Sequence, residues 1–141
     1  MKAFLDTNVL LDVLAKREPF YENAATIWTL AEEGKVEGLI SAVSFTNIYY
    51  IVRKLRDHRT AKRMLSVLRG TFTPVACDEQ VLGRAIDASF KDFEDAVQYF
   101  SALQGGASVL VTRDADHFPA SDRPAIVTPA EFLATRSIKG K

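Results

Sequence analysis

Short apolar runs alternate with helical patterns along this chain. The runs are apolar without a regular alternation, and they cover residues 2–5, 36–41, 72–77, 107–112 and 125–127. Strands of this kind are buried on both faces, so the runs predict a parallel sheet covered by helices on each side. Right-handed crossovers bring the carboxyl ends of such strands to one edge of the sheet. The pattern therefore predicts one α/β domain.

Apolar residues at helical spacing fill the segments between the predicted strands. The clearest stripe lies in a helix predicted over residues 44–55 and consists of Phe45, Ile48, Val52 and Leu55. Other helices are predicted to begin near Pro19, Thr60 and Pro129 and after the N-caps Asp78 and Asp92. Residues 1–136 are assigned to a single domain, and residues 137–141 are predicted to form a frayed tail.

The composition is that of an ordinary globular protein. The 141 residues are 48% hydrophobic, which is enough for one substantial core. No apolar run is long enough to span a membrane, and Asp6 interrupts any signal-peptide pattern at the amino terminus. We therefore expect a cytoplasmic protein that makes no membrane contact. The single cysteine, Cys77, is expected to be a small buried hydrophobe.

Positive charge is concentrated in one segment, although the formal charges of the whole chain sum to zero. Tight non-specific binders of nucleic acid are usually basic overall. Within residues 53–69 the only acid is Asp57, and the basic residues are Arg53, Lys54, Arg56, Arg59, Lys62, Arg63 and Arg69. The segment is either a solvated face of two helices or a positive rim that guides a polyanion. On the second interpretation Arg53 and Lys54 are candidate substrate contacts.

Acidic residues gather at three junctions between predicted elements. They are Asp6 after the first strand, Asp92, Glu94 and Asp95 at the start of a helix, and Asp114 and Asp116 after the strand over 107–112. Carboxylates at the ends of parallel strands converge on one edge of the sheet, where a cation or a proton relieves their repulsion. Each group also has a local explanation as a helix cap or a turn. Taken together, the three junctions predict a divalent-metal site.

The residue types favour Mg²⁺ or Mn²⁺ over zinc. Hard divalent ions prefer carboxylate oxygen and keep water in their coordination shell. The only histidines, His58 and His117, have no Cys or His partner at the spacing of a zinc site. His117 follows Asp116 directly and is a candidate substrate contact, as is Arg113 beside Asp114.

Three segments resemble the signature segments of PIN-domain nucleases, a family that includes the toxins of many prokaryotic toxin–antitoxin pairs. They are Leu-Asp-Thr-Asn-Val-Leu-Leu-Asp at 5–12, Asp-Phe-Glu-Asp-Ala-Val-Gln at 92–98 and Val-Thr-Arg-Asp-Ala-Asp-His-Phe at 111–118. The resemblance implies a three-layer α/β/α sandwich around a parallel sheet. It also implies metal-dependent hydrolysis of RNA phosphodiester bonds, a small antitoxin protein as partner, and a homodimer.

The resemblance also assigns roles to individual side chains. Asp6, Asp95 and Asp114 match metal-binding carboxylates, and Asp116 matches a fourth contributor to catalysis. Asn8 and Thr112 match polar positions that orient water or neighbouring carboxylates around the ion.

One position departs from the family pattern. Early in the third helix the family usually carries an acid, most often Glu, and this chain carries Asn47, which we interpret as the trait of a subgroup. Glu94 is a candidate to compensate for this missing acid, although it is adjacent to Asp95 on a helix and is expected to point about a quarter-turn away from it. The loss of an acid favours an alternative function, a catalytically weak PIN-like module that binds RNA or a protein. An aspartyl-phosphate phosphatase is disfavoured, because position 8 is Asn where that chemistry needs a second acid.

Overall fold

The computed structural model describes residues 1–139 as a five-stranded parallel sheet with helices on both faces. The strands are β1 (Lys2–Leu5), β2 (Glu37–Ser41), β3 (Thr73–Val75), β4 (Val109–Val111) and β5 (Ala125–Val127). The helices are α1 (Thr7–Leu14), α2 (Tyr21–Glu32), α3 (Ala42–Leu55), α4 (His58–Thr71), α5 (Glu79–Asp87), α6 (Phe93–Gln104) and α7 (Pro129–Lys139), and a 3₁₀ turn covers Ala115–His117. The predicted three-layer α/β/α sandwich with a central parallel sheet is confirmed.

The strand order places the start of the chain at the centre of the sheet. The order is β3-β2-β1-β4-β5, and Phe4 of β1 pairs with Leu39 on one side and with Leu110 on the other. The chain builds β2 and β3 on one side of β1 and then crosses over to build β4 and β5. The direction of winding therefore reverses between β1 and β4. In open α/β sheets, ligands bind outside the carboxyl ends of the two strands at such a reversal.

The central strand β1 is buried on both sides, which explains why it lacks an alternating pattern. Ala3 and Leu5 of β1 face a core that is shared with helices α1 to α4 and α7. Phe4, between them, faces a second core with Leu110 of β4 and Ala102 of α6. All three β1 side chains are at most 1% exposed. Burial of this kind contributes roughly 1.5–3 kcal/mol for each large apolar side chain.

The third helix begins earlier than predicted. Its first residue is Ala42, because the side chain of Ser41 accepts a hydrogen bond of 3.1 Å from the backbone N–H of Val43 and caps the helix there. The predicted first residue, Ser44, is instead fully buried two residues inside α3. At this position the hydroxyl of Ser44 contacts Thr7 of α1 and Gln98 of α6.

The last helix runs through part of the predicted tail. Its backbone is helical to Lys139, while residues 140 and 141 of the predicted frayed segment lie outside the described residues. No helix within residues 1–139 is both long and apolar enough to cross a membrane.

Candidate functional site

The junctions after β1 and after β4 meet in the crevice between these two strands. Asp6 follows β1 directly and is only 5% exposed, and Thr112 follows β4 and is fully buried. The hydroxyl of Thr112 donates a 2.8 Å hydrogen bond to Oδ2 of Asp6 and accepts one of 3.1 Å from the backbone N–H of Asp114. Thr112 therefore orients the Asp6 carboxylate and fixes the loop that carries Asp114.

Asp6 occupies the N-cap position of α1 but does not serve as a cap. Its side chain makes no capping hydrogen bond to the helix. By contrast, the carboxylate of Asp92 accepts hydrogen bonds from the backbone N–H groups of Glu94 and Asp95, at 2.8 and 3.3 Å, and caps α6. The local explanation therefore applies to Asp92 and fails for Asp6. A buried carboxylate with no capping role is a stronger functional candidate.

Asn8 connects the first turn of α1 to the loop after β4. Its side-chain amide donates a 3.0 Å hydrogen bond to Oδ2 of Asp114. The remaining side-chain oxygen of Asn8, Oδ1, is buried and has no hydrogen-bond partner among residues 1–139. Because buried polar atoms are nearly always partnered, this oxygen is available to a water molecule or a ligand.

The junction at the start of α6 closes the site from the side of that helix. Asp95 lies in the first turn of α6 and is half-buried, with its Oδ2 3.8 Å from Nδ1 of His117. Glu94 accepts a 3.3 Å hydrogen bond from the side-chain amide of Asn47 in α3. Glu94, the candidate to compensate for the missing acid, lines the same cavity as Asp95 although the two residues are adjacent on the helix. The contact with Asn47 joins α6 to α3 at this cavity.

A cavity of about 460 Å³ collects side chains from all three junctions. Its lining consists of Asp6, Thr7, Asn8, Leu11, Asn47, Tyr50, Ile51, Asp92, Glu94, Asp95 and Asp114. Asp116 and His117 line a neighbouring cavity of about 890 Å³, which shares Asp92 and Asp95 with the first. The structure thus brings Asp6, Asp95 and Asp114 together, whereas Asp116 faces the adjacent space.

The surroundings of Asp6 and Asp95 disfavour the negative charge of these two carboxylates. Burial raises the pKa of Asp6 to about 7 against the opposing hydrogen bond from Thr112, and the charges of Asp95 and Glu94 raise it further. Burial also raises the pKa of Asp95 to about 6, with repulsion from Asp92 adding to the effect and His117 opposing it. A cation placed between these groups would favour their ionised forms.

The donor set suits a hard divalent ion that retains much of its water. Within residues 1–139 no three His, Cys, Asp or Glu side chains are arranged closely enough to chelate an ion together. Mg²⁺ is commonly bound through only one or two carboxylates, with water and substrate phosphate oxygens completing its shell. The buried, unpartnered Oδ1 of Asn8 is a further oxygen at this site. The residues fit Mg²⁺ or Mn²⁺ on these terms.

A buried polar network beneath the cavity was not predicted from the sequence. The hydroxyls of Thr7 in α1 and Ser44 in α3 lie 2.6 Å apart, and the side-chain amide of Gln98 in α6 donates to Ser44 at 3.4 Å. All three residues are nearly or fully buried. They join the three helices that carry the cavity lining. The signal in the sequence is their spacing: Thr7 directly follows Asp6, while Ser44 and Gln98 lie one turn from Asn47 and Asp95.

Two of the predicted substrate contacts lie outside the cavity lining. Arg53 and Lys54 are exposed in the last turn of α3, beyond Tyr50 and Ile51, which do line it. Their role as substrate contacts stays a prediction.

Arg113 has a structural partner. Its Nε lies 2.8 Å from Oδ2 of the fully buried Asp12, and its guanidinium lies 4.1 Å from the ring centroid of Phe20. Burial raises the pKa of Asp12, and the charge of Arg113 opposes that shift. Arg113 therefore anchors the loop between Thr112 and Asp114 to the end of α1, and its predicted contact with substrate stays a prediction.

Replacing Arg113 with Met is expected to destabilise the protein by about 3 kcal/mol, because it leaves the buried Asp12 carboxylate without its counterion. The loss should be greater at pH 8 than at pH 5, since Asp12 has a raised pKa and avoids the penalty by taking up a proton. Thermal denaturation at both pH values measures the effect. Arg59→Met, at an exposed position of α4, is the matched control. An unchanged melting temperature for Arg113→Met would contradict the anchoring role.

Comparisons with known proteins agree with this architecture. Residues 2–116 match the sequence profile of the PIN domain. The chain is 24% identical over 136 residues to the protein named Ribonuclease VapC1 from Aquifex aeolicus (strain VF5), a match that covers 93% of this chain and 92% of the relative.

Solved structures share the fold at low sequence identity. The structure of VapBC2 from Rickettsia felis bound to a DNA fragment from its promoter superposes with a TM-score of 0.68 and 15% identity, over 91% of this chain and 98% of that chain. The structure of VapC20 from Mycobacterium tuberculosis, described as a sarcin–ricin loop cleaving toxin, gives a TM-score of 0.65 and 14% identity, over 82% and 92%. At these identities the likeness concerns the fold alone.

Proposed function

The chain belongs to the PIN-domain family, and we propose that it is a divalent-metal-dependent endoribonuclease, the toxin of a toxin–antitoxin pair. The observation that carries the proposal is the convergence of Asp6, Asp95 and Asp114 on one cavity at the winding reversal of the sheet. The relative named as a ribonuclease supports RNA as the substrate, and the structural neighbour described as a sarcin–ricin loop cleaving toxin is consistent with it.

Five side chains at the cavity have a definable task in this reaction. Asp6, Asp95 and Asp114 would hold a hydrated Mg²⁺ or Mn²⁺, in part through its water molecules, and the bound ion would neutralise the phosphate as a Lewis acid and lower the pKa of an attacking water. Thr112 orients the carboxylate of Asp6 by donating to its Oδ2. Asn8 orients Asp114 in the same way. These two hydrogen bonds fix the orientation of the Asp6 and Asp114 carboxylates. Fixed carboxylates are needed to position a phosphodiester for in-line attack.

The neighbouring residues suggest how RNA reaches the cavity. Exposed Arg53 and Lys54 follow the cavity-lining turn of α3, where they can attract phosphates by long-range electrostatics. Asp116 and His117 border the adjacent cavity, which would receive the flanking nucleotide. We assign Asp116 to a supporting catalytic role and His117 to substrate contact on this basis.

The partners follow from the same proposal. Structural neighbours with a TM-score of 0.65 or more include VapBC2 and the Klebsiella pneumoniae structure described as a toxin–antitoxin complex. We propose that this chain is held inactive by a small antitoxin, forms a homodimer and acts in the cytoplasm. A short upstream gene that encodes a DNA-binding domain with a disordered tail would support the pairing. An unrelated neighbour would count against it.

The cleavage assay tests the enzymatic proposal. Purified protein is incubated with end-labelled RNA, and with DNA of the same sequence, in Mg²⁺, Mn²⁺ or EDTA. We expect cleavage of RNA only with a divalent ion, leaving 5′-phosphate and 3′-hydroxyl ends. Cleavage that continues in EDTA, or that leaves cyclic phosphate ends, would contradict the proposal.

A second candidate function is a PIN-like module that binds RNA or a protein without cleaving. Asn47 favours it, because an amide on the α3 side of the cavity supplies no charge to a cation. RNA binding without cleavage at saturating Mn²⁺ is the result that would favour this module over the nuclease.

A further inference from the structure

The α3 wall of the cavity contributes an amide where a carboxylate would attract a cation. Asn47 is the α3 residue that faces the acids, and its neighbours in the lining, Tyr50 and Ile51, are also uncharged. The amide of Asn47 is directed at Glu94 on the opposite wall, with Nδ2 3.3 Å from Oε1. The two side chains therefore bridge the cavity between α3 and α6.

This contact specifies which oxygen of Glu94 is available. Oε1 accepts from Asn47, while Oε2 makes no hydrogen bond to any residue in the described part of the chain. The backbone at this point is also fixed, because the N–H of Glu94 donates to the capping carboxylate of Asp92 at 2.8 Å. Glu94 is thus held at its backbone and at one carboxylate oxygen. A side chain restrained at both ends loses less conformational entropy when its remaining oxygen binds a ligand.

The chemistry of position 47 fits this arrangement. An amide donor attracts the Glu94 carboxylate, whereas an acid at position 47 would repel it across the cavity mouth. The site therefore holds one carboxylate from this pair of positions, and it comes from α6. The identity of residue 47 and the direction of Glu94 are linked through a single hydrogen bond.

We propose that Glu94 is a further acidic side chain of the cation site and that Asn47 is the positioning residue that turns it toward the ion. The inference rests on the proposed function, since it names an additional residue of the same site. A carboxylate from Glu94 would supply the charge that α3 does not provide, so the cation site would not depend on an acid at position 47. The competing explanation is that Glu94 only places a favourable charge at the N-terminus of α6.

The test is the affinity for Mn²⁺ in the absence of RNA, measured by calorimetry. Glu94→Gln is expected to weaken Mn²⁺ binding by at least about tenfold, the effect typical of residues that support a metal site. Glu79→Gln is the matched control, because Glu79 lies in the first turn of α5 as Glu94 does in α6, and it is far from this cavity. The control is expected to bind Mn²⁺ like the unchanged protein.

A compensating variant tests the link between the two positions. Asn47→Glu combined with Glu94→Gln returns one carboxylate to the cavity mouth and is expected to recover most of the lost affinity. Unchanged affinity in Glu94→Gln, an equal loss in Glu79→Gln, or no recovery in the double variant would each overturn the inference. Failure of the unchanged protein to bind Mn²⁺ would instead overturn the proposed function itself.

Discussion

Replacing Asp95 with Asn is expected to lower kcat/KM for RNA cleavage by at least about 1000-fold while the fold persists. The change keeps the size of the side chain and removes a charge that faces the cavity shared with Asp6 and Asp114. A 1000-fold loss corresponds to about 4 kcal/mol of transition-state stabilisation, which is the scale of charge stabilisation by a catalytic metal ion. The raised pKa of Asp95, about 6, shows that its ionised form is unfavourable in the folded protein. The neutral amide should therefore not reduce stability.

The measurement compares single-turnover cleavage at saturating Mn²⁺ with thermal denaturation of the same samples. Asp87→Asn is the matched control, because Asp87 is exposed at the end of α5 and does not line the cavity. Both variants should melt near the temperature of the unchanged protein, and only Asp95→Asn should lose cleavage. Full activity in Asp95→Asn would remove α6 from the catalytic site. Equal loss in both variants would show that the loss is not specific to the cavity.

Replacing Asp6 with Asn is expected to abolish cleavage and, in metal-free buffer, to stabilise the fold. Asp6 is 5% exposed, and its pKa is about 7 in the folded protein against an ordinary value of 3.8. At pH 8 the protein must therefore keep a buried charge that it disfavours. Removing that charge should raise the free energy of unfolding by roughly 2–4 kcal/mol, which corresponds to several degrees in melting temperature. The amide oxygen of Asn can still accept the hydrogen bond from Thr112.

The sign of the pH dependence distinguishes this explanation from a general packing effect. Between pH 3.8 and about 7 the folded protein holds a proton on Asp6 that the unfolded chain has released, so stability falls as the pH rises through this window. The advantage of Asp6→Asn should thus be largest above pH 7 and should vanish near pH 4. Melting curves in EDTA across this range measure it. A variant that is less stable at pH 8, or an advantage that does not change with pH, would contradict the raised pKa.

The same variant is informative when metal is added. Mn²⁺ that binds only the folded protein raises the melting temperature by mass action. The unchanged protein should gain stability with Mn²⁺, and Asp6→Asn should gain much less. Binding of Mn²⁺ and removal of the Asp6 charge would then be alternative ways to relieve the same unfavourable buried charge.

The fold could be predicted because its determinants are local in sequence. The strands lie within short apolar runs. Phe4 and Leu5 point to opposite faces of the sheet and are both buried, so the strand that contains them shows no alternation of apolar and polar residues. Helix boundaries were less accessible, since several polar residues compete to be the cap. α4 begins at His58 rather than at the predicted Thr60, because Asp57 accepts a 2.7 Å hydrogen bond from the backbone N–H of Thr60.

The gathering of the acids could be predicted for a topological reason. Parallel strands end at one edge, so carboxylates that follow β1 and β4 must approach each other whatever the details of packing. The sequence alone could not decide whether Asp6 or Asp92 was a helix cap, because both precede a helical pattern. Only the tertiary structure provides Thr112 as an alternative partner for Asp6.

Contacts between side chains of distant elements were beyond prediction. The direction of Glu94 depends on Asn47, which is 47 positions away, and the direction of Arg113 depends on the buried Asp12. Helical geometry alone places Glu94 about a quarter-turn from Asp95, and it does not specify whether a donor on another helix holds Glu94 at the same cavity. The departure at position 47 was visible in the sequence, whereas its consequence for Glu94 required the positions of both helices.

The central claim is that three junctions form one cation site, and paramagnetic broadening of amide NMR signals by Mn²⁺ tests it most directly. At the lowest Mn²⁺ concentrations, signals next to Asp6, Asp95 and Asp114 should disappear first, while those at Asp78 and Glu79, an acidic pair at the start of α5, persist. The double variant Asp6→Asn and Asp95→Asn should lose this selectivity. Uniform broadening, or broadening that begins at the start of α5, would contradict the claim.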